Sequence, residues 1–269
     1  MQLPIIGRRG WYPGGTWRLN RGHPLAAGIT CAWVPTGRYT GSLVGTNTVV
    51  ESLPGNPIFG GFAFTPKGFG RQFGQNQGPT ITIGSTAQLF SSTAATILII
   101  RRVWPGSGSS VPLGFNTATV AQTVHCWLPF SDNTVYWDFG GQSGSNRITY
   151  TPSPAIDTTV ADTWVFSAGS NGSSIWQNGI QRASQGSSIS ATLSSSNLYG
   201  LITNTKDTIT GVIVANLCYT WNRQLSPSEI AAISNDPWQI LDSTDDDLAS
   251  MLTGPLVSNS QMAGMLFGG

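Results

Sequence analysis

The chain has 269 residues, a formal charge of +1, 9% charged residues, 10% aromatics and 33 glycines. This near-neutral balance excludes a global field that would steer the protein to nucleic acid or an acidic membrane, and the length is ample for one large domain with a buried core. Sparse charge beside abundant Gly, Ser, Thr and aromatic residues fits many short strands joined by polar turns and argues against a helix-rich fold.

Residues 1–22 are rich in Gly, Pro, Arg and Trp without periodicity, run into His23-Pro24 and read as an irregular arm. They lack the apolar core of a signal peptide, and no run in the chain approaches the roughly 18–20 apolar residues of a membrane span. Trp11, Tyr12 and Trp17 would be out of place on a solvated tail, so the arm is expected to lie against its own domain or a neighbour. HPLAAGITCAWVP, from His23 to Pro35, then leads into a first strand over 29–34. Residues 36–78 are heavy in Gly-Asn-Pro and Gly-Gly turn signals and read as loops. The alternation of Thr80 to Ile83 and the apolar TILIIRRV over 96–103 read as strands. Arg101-Arg102, like Arg8-Arg9, is expected to be a solvated pair.

Residues 124–150 are the most aromatic stretch. Ser131-Asp132-Asn133 is a hairpin turn signal, after which Val135, Trp137 and Phe139 share one strand face, the core face, and Tyr136 and Asp138 share the other. A second turn over 140–145 precedes a strand over 147–150. A meander follows, with strands over 163–168 and 174–177 and turns at Asn171-Gly172 and Asn178-Gly179.

Residues 211–241 hold the strongest local signals. Val212, Val214, Asn216, Cys218 and Thr220 alternate with Ile213, Ala215, Leu217, Tyr219 and Trp221, so both strand faces are largely apolar and a central, doubly covered strand is expected. Ser226 then stands as N-cap, Pro227 at the first helical position and Glu229 three residues after the cap, a reciprocal capping box, with Leu225 and Ile230 spaced as a hydrophobic staple. Asn235, suited to a left-handed backbone, and Asp236 before Pro237 end the helix after about eight residues. So short a helix is stable only if Ile230 and Ile233 dock on something larger.

A final strand, then N-R-x-L-S-x-x-E-I-A over 222–231, then Pro237-Trp238, resembles the C-terminal signature of the laminin-G-like (concanavalin A-like) jelly-roll superfamily. In particular it is similar to the laminin-G-like proteins found in bacteriophage genomes. His23-Pro24-Leu25-Ala26 resembles the superfamily's opening element, and Trp164, Gly172, Trp176, Asn178 and Gly179 fall in the order of its hairpin. The resemblance implies an all-β, concanavalin A-like jelly-roll sandwich of two antiparallel sheets over 23–241, with one short C-terminal helix, an N-terminal arm over 1–22 and a C-terminal tail over 242–269.

Catalytic chemistry is not expected. Glycoside hydrolysis needs two positioned carboxylates, yet the glutamates are Glu51 and Glu229, the latter engaged in the cap, and Asp132 and Asp138 have no third carboxylate between them. His125 and Cys126, as strand neighbours, point to opposite faces and cannot form a nucleophile–base pair. Cys31, Cys126 and Cys218 lack CxxC spacing and read as buried thiols, and no metal or cofactor is expected; Asp245 to Asp247 reads as a solvated charge run.

Surface recognition remains. The phage-like resemblance implies a virion structural protein made in the host cytoplasm, a capsid decoration (cement) protein contacting the major capsid protein or other virion proteins. Trp11, Tyr12, Trp17, Met262, Leu266 and Phe267 would be its assembly-arm contacts, and a homo-oligomer, a trimer by preference, is expected. The alternative is a tail-associated or carbohydrate-binding, lectin-like module for host attachment. Tyr136 and Asp138 would then contact a cell-surface glycan.

Overall fold

The computed structural model describes residues 17–35, 41–43, 50–52, 62–65, 68–73, 80–103, 113–115, 124–130, 132–157, 160–194, 198–201 and 213–243. Trp11, Tyr12, Met262, Leu266, Phe267, Arg8-Arg9 and Asp245 to Asp247 lie outside them.

Among the described residues the chain builds strands β1 (Trp17–Leu19), β2 (Ile29–Pro35), β3 (Gly41–Leu43), β4 (Val50–Ser52), β5 (Phe62–Thr65), β6 (Gly68–Phe73), β7 (Thr80–Ser85), β8 (Ala95–Val103) and β9 (Leu113–Phe115). They continue with β10 (Val124–Trp127), β11 (Val135–Phe139), β12 (Arg147–Tyr150), β13 (Asp162–Gly169), β14 (Gly172–Gln177), β15 (Ile180–Gln185), β16 (Leu198–Leu201), β17 (Ile213–Trp221) and β18 (Leu241–Ser243). The stretch expected to be loops thus contains β3 to β6, strands of three to six residues too brief for a period-two signal to stand out among the Gly-rich turns.

One sheet runs β15-β14-β13-β8-β17-β2-β3, with β6 also paired to β17 and β5 to β6. The other runs β12-β11-β10-β9-β16-β7-β4, and every pairing is antiparallel. The expected sandwich is therefore the observed one. β17 is central, as its two apolar faces require: β8 lies along one edge, while β2 and β6 share the other. A bulge leaves Asn216 unpaired opposite the Arg101–Ile100 step of β8.

Two apolar layers result. Between the sheets, Cys31, Trp33, Ile97, Ile99, Trp164, Phe166 and Cys218 meet Val124, Cys126, Val135, Trp137, Phe139 and Ile148. The cysteines are free and buried as expected, and desolvation pushes the Cys31 and Cys218 thiols up, away from the reactive thiolate. Trp137 is wholly buried and its indole N–H donates to the Ser167 carbonyl at 3.1 Å. Arg101, on β8, departs from expectation. It is 2% exposed rather than solvated, and burial lowers its pKa to about 9.

The second layer covers the outer face of the β17 sheet, where Leu98, Ile100, Val165, Leu217, Tyr219 and Trp221 pack under Leu225, Ile230, Ile233, Trp238 and Ile240. The covering element is the helix Pro227–Asn235, with the capping box complete: Glu229 N–H donates to Ser226 Oγ at 3.3 Å and Ser226 N–H to Glu229 Oε2 at 2.8 Å. Arg223 adds a bidentate pair to Glu229 at 2.8 and 3.0 Å and donates through Nε to the Ala27 carbonyl, tying the helix start to the chain before β2. The helix ends differently from expectation. Asn235 stays helical, and the chain leaves through Asp236 at φ −133 ahead of Pro237, so the pre-proline restriction is what stops it.

His23 caps the short 3-10 turn Pro24–Ala26, its Nδ1 accepting the Leu25 N–H at 3.2 Å. β1 and β18 pair as a ribbon beside this layer, and Leu19 and Leu241 are buried in it. β1 lies within the residues read as the N-terminal arm and pairs with β18, Trp17 standing opposite Ser243.

The β13–β14 turn holds Ser170 and Asn171, one residue earlier than expected, because Gly172 already pairs with Gly169. Asn178 (φ 52) and Gly179 (φ 77) form the left-handed two-residue turn that Asn-Gly favours between twisted strands.

Candidate functional site

The hairpin β10–β11 and its neighbour β12 expose one face of the second sheet. Alternation sends Val124 and Cys126 of β10, and Val135, Trp137 and Phe139 of β11, into the sandwich. The opposite face carries His125 and Trp127, Tyr136 and Asp138, and Arg147 and Thr149. The registers Trp127↔Tyr136, His125↔Asp138, Tyr136↔Thr149 and Asp138↔Arg147 set these side chains in two rows across three strands.

The rings form a chain. His125 and Trp127 lie 4.7 Å apart, Phe130 meets Trp127 edge-on at 4.9 Å, and Tyr136 meets Phe130 edge-on at 5.7 Å. All four are half-buried, enough to be rigid and still reachable.

Two carboxylates hold this row in place. Asp132, exposed in the β10–β11 turn, accepts the Tyr136 hydroxyl at 2.5 Å and the Thr134 backbone N–H at 2.9 Å, while Asn133 beside it turns the chain at φ 63. Partial desolvation pushes the Asp132 carboxyl up, but these two donors outweigh it and hold it below its usual value. Asp138 does not meet the expectation of an open sugar contact. Its side chain has no exposure, and both oxygens are taken by Arg147, Nε at 2.5 Å and Nη2 at 2.7 Å. Burial holds the Asp138 carboxyl above its usual value, and the hydrogen bonds and charge of Arg147 offset that only in part. Arg147 in turn lies over the Tyr136 ring, 4.6 Å from its centroid.

Tyr136 thus lies on the face where the sequence placed it, and Asp138 is buried against Arg147. His125, Trp127, Phe130 and Arg147 are surface residues that sequence reasoning missed. The signal for two of them was present, because His125 and Trp127 alternate with the buried Val124 and Cys126 as Tyr136 does with its neighbours.

Elsewhere, Thr93, Ser170, Asn171, Ser188, Ser190 and Gln224 help line an open cleft of about 590 Å³ built from turns of the β17 sheet. None of its described lining residues is ionisable. Among the described residues no three His, Cys, Asp or Glu side chains gather as a metal site, and no helix is long and apolar enough to cross a membrane.

No family model and no curated protein matches the sequence. Solved structures do match the fold. The binding domain of Paraclostridial Mosquitocidal Protein 1 superposes with a TM-score of 0.60 at 12% identity, over 80% of this chain and 53% of that one. The binding domain of botulinum neurotoxin serotype G gives 0.57 at 12% identity, over 78% and 51%. That of botulinum neurotoxin DC, solved in complex with SialylT, gives 0.53 at 12% identity, over 78% and 52%. The chain therefore spans about half the length of these domains, and the likeness is one of β-sandwich fold. The neighbours are binding domains rather than catalytic ones. The capsid partners, oligomer and bacteriophage setting expected from the sequence resemblance gain no support from them.

Proposed function

We propose that the protein is a non-enzymatic, lectin-like binding module that recognises a cell-surface glycan through the β10–β12 face. The observation that carries this reading is the row His125, Trp127, Phe130 and Tyr136 on a sheet face that no described element covers, fixed by Asp132 and Arg147. Sugar rings bury their C–H faces on such aromatic rings, while flanking carboxylate, hydroxyl and guanidinium groups set the orientation of their hydroxyls. Prior fixation of the side chains lowers the entropy lost on binding. The fold likeness to toxin binding domains supports the reading at the level of scaffold. The sequence resemblance to phage laminin-G-like proteins makes host attachment the setting in which it would act.

A glycan array probed with the intact chain tests it. Binding is expected, and Tyr136→Ala should abolish it without moving the thermal melt. An array with no signal, followed by no binding at millimolar sugar in solution, overturns the reading.

A further inference from the structure

The charges of the β10–β12 face are unequal. Among the described residues it holds two carboxylates, Asp132 and Asp138, against the one guanidinium of Arg147, and Arg147 spends Nε and Nη2 on Asp138. The negative charge left over is that of Asp132, which is exposed at the Tyr136 end of the ring row. A carboxylate accepts hydrogen bonds and donates none, and each Asp132 oxygen keeps accepting capacity after serving Tyr136 or Thr134. The Tyr136 hydroxyl, whose hydrogen is engaged in its bond to Asp132, also faces a ligand as an acceptor. A sugar bearing only hydroxyls supplies the donors that both groups want. A carboxylate or sulfate supplies none and meets Asp132 as a like charge.

Resting on the reading of this face as a glycan platform, we propose that it selects uncharged pyranose glycans and discriminates against sialylated or sulfated ones. Asp132 is the specificity-determining residue. Trp127 and Tyr136 supply stacking surface common to both classes, and the Arg147–Asp138 pair, already neutralised, contributes little to the choice.

The test is a solution titration of the intact protein with matched glycan pairs, each a neutral galactoside and its sialylated form, chosen from an array of such pairs. The neutral member should bind about five-fold more tightly at low salt, the size of a like-charge contact of about 4 Å between water-exposed groups. Asp132→Asn, which keeps an acceptor for Tyr136, should narrow that ratio to near unity. Raising the ionic strength of the wild-type protein should narrow it too, a measurement that needs no variant. Equal or tighter binding of the sialylated member overturns the charge selection and leaves the platform reading standing. Failure of every neutral and acidic member to bind overturns both.

Discussion

Arg147 closes on Asp138 through two parallel hydrogen bonds, and the two residues differ in exposure: the Arg147 side chain is 27% exposed and the Asp138 side chain not at all. The fork–fork geometry offsets the cost of burying a carboxylate, so removing the cation leaves a charge with neither water nor partner. Arg147→Ala should cost about 3 kcal/mol in a urea denaturation, the lower end of the range for broken buried pairs because the arginine is partly solvated. Asp138→Asn/Arg147→Gln, which removes both charges together, should cost less than Arg147→Ala alone. A double variant as unstable as Arg147→Ala would show that the cost is not that of an orphaned buried charge.

The docked helix makes a second comparison. Ser226→Ala removes the oxygen that receives the Glu229 N–H and should cost about 1 kcal/mol. Ile230 is 1% exposed under the β17 sheet, and Ile230→Ala should cost roughly 2–5 kcal/mol as a cavity opens there. Thermal melts that rank the two in the opposite order would contradict the view of the helix as a packed plug.

The parts of the molecule legible in the sequence are those fixed by near neighbours. Ser226, Pro227 and Glu229 cap a helix within one turn, Asn178-Gly179 sets its own turn type, and the alternation through Cys218 and Tyr219 shows a strand buried on both faces. Asp138 was misjudged for the complementary reason. Alternation gives its face, but its partner Arg147 comes through the β11–β12 register, across a turn whose length the sequence leaves open. Arg101 was misjudged although its signal is local, since adjacent strand residues point to opposite faces and Arg101 continues the inward row of Ile97 and Ile99. Leu19 and Leu241 seal the second layer from opposite ends of the chain, a contact with no local signal at all.

Glu229 couples the helix to pH. Its hydrogen bonds to Arg223, aided by Ser226, outweigh partial desolvation and lower its pKa from 4.5 to about 2. A carboxylate lowered on folding adds stability that is fully present above its unfolded value and is lost as pH falls through the folded one. The stability gap between wild type and Glu229→Gln should therefore be constant near neutral pH and shrink between about pH 4.5 and about pH 2. A gap that does not change across that window would show that the charge of Glu229 is immaterial to the cap.

Three glycines separate backbone strain from crowding. At Gly186, where φ is not in the left-handed region, a methyl group would meet nothing within 4 Å, and Gly186→Ala should be neutral or stabilise by about 0.4–1 kcal/mol through the unfolded chain. Gly144 also has open space but sits at φ +61, so Gly144→Ala should cost roughly 1–2 kcal/mol for the left-handed backbone alone. Gly172 combines φ +86 with a Cβ position 1.7 Å from the Gln185 carbonyl oxygen, a backbone atom of β15 that cannot rotate away. Gly172→Ala must push β15 off β14 or distort the turn that Gln224 braces by donating to the Gly172 carbonyl at 2.9 Å. It should cost about 4 kcal/mol or more, in the range reserved for named structural failures. Denaturation midpoints in the order Gly186→Ala, Gly144→Ala, Gly172→Ala, from most to least stable, are expected. A Gly172→Ala protein as stable as Gly144→Ala would mean that the β14–β15 edge yields freely, and that the glycine serves the turn's conformation rather than the close approach of the two strands.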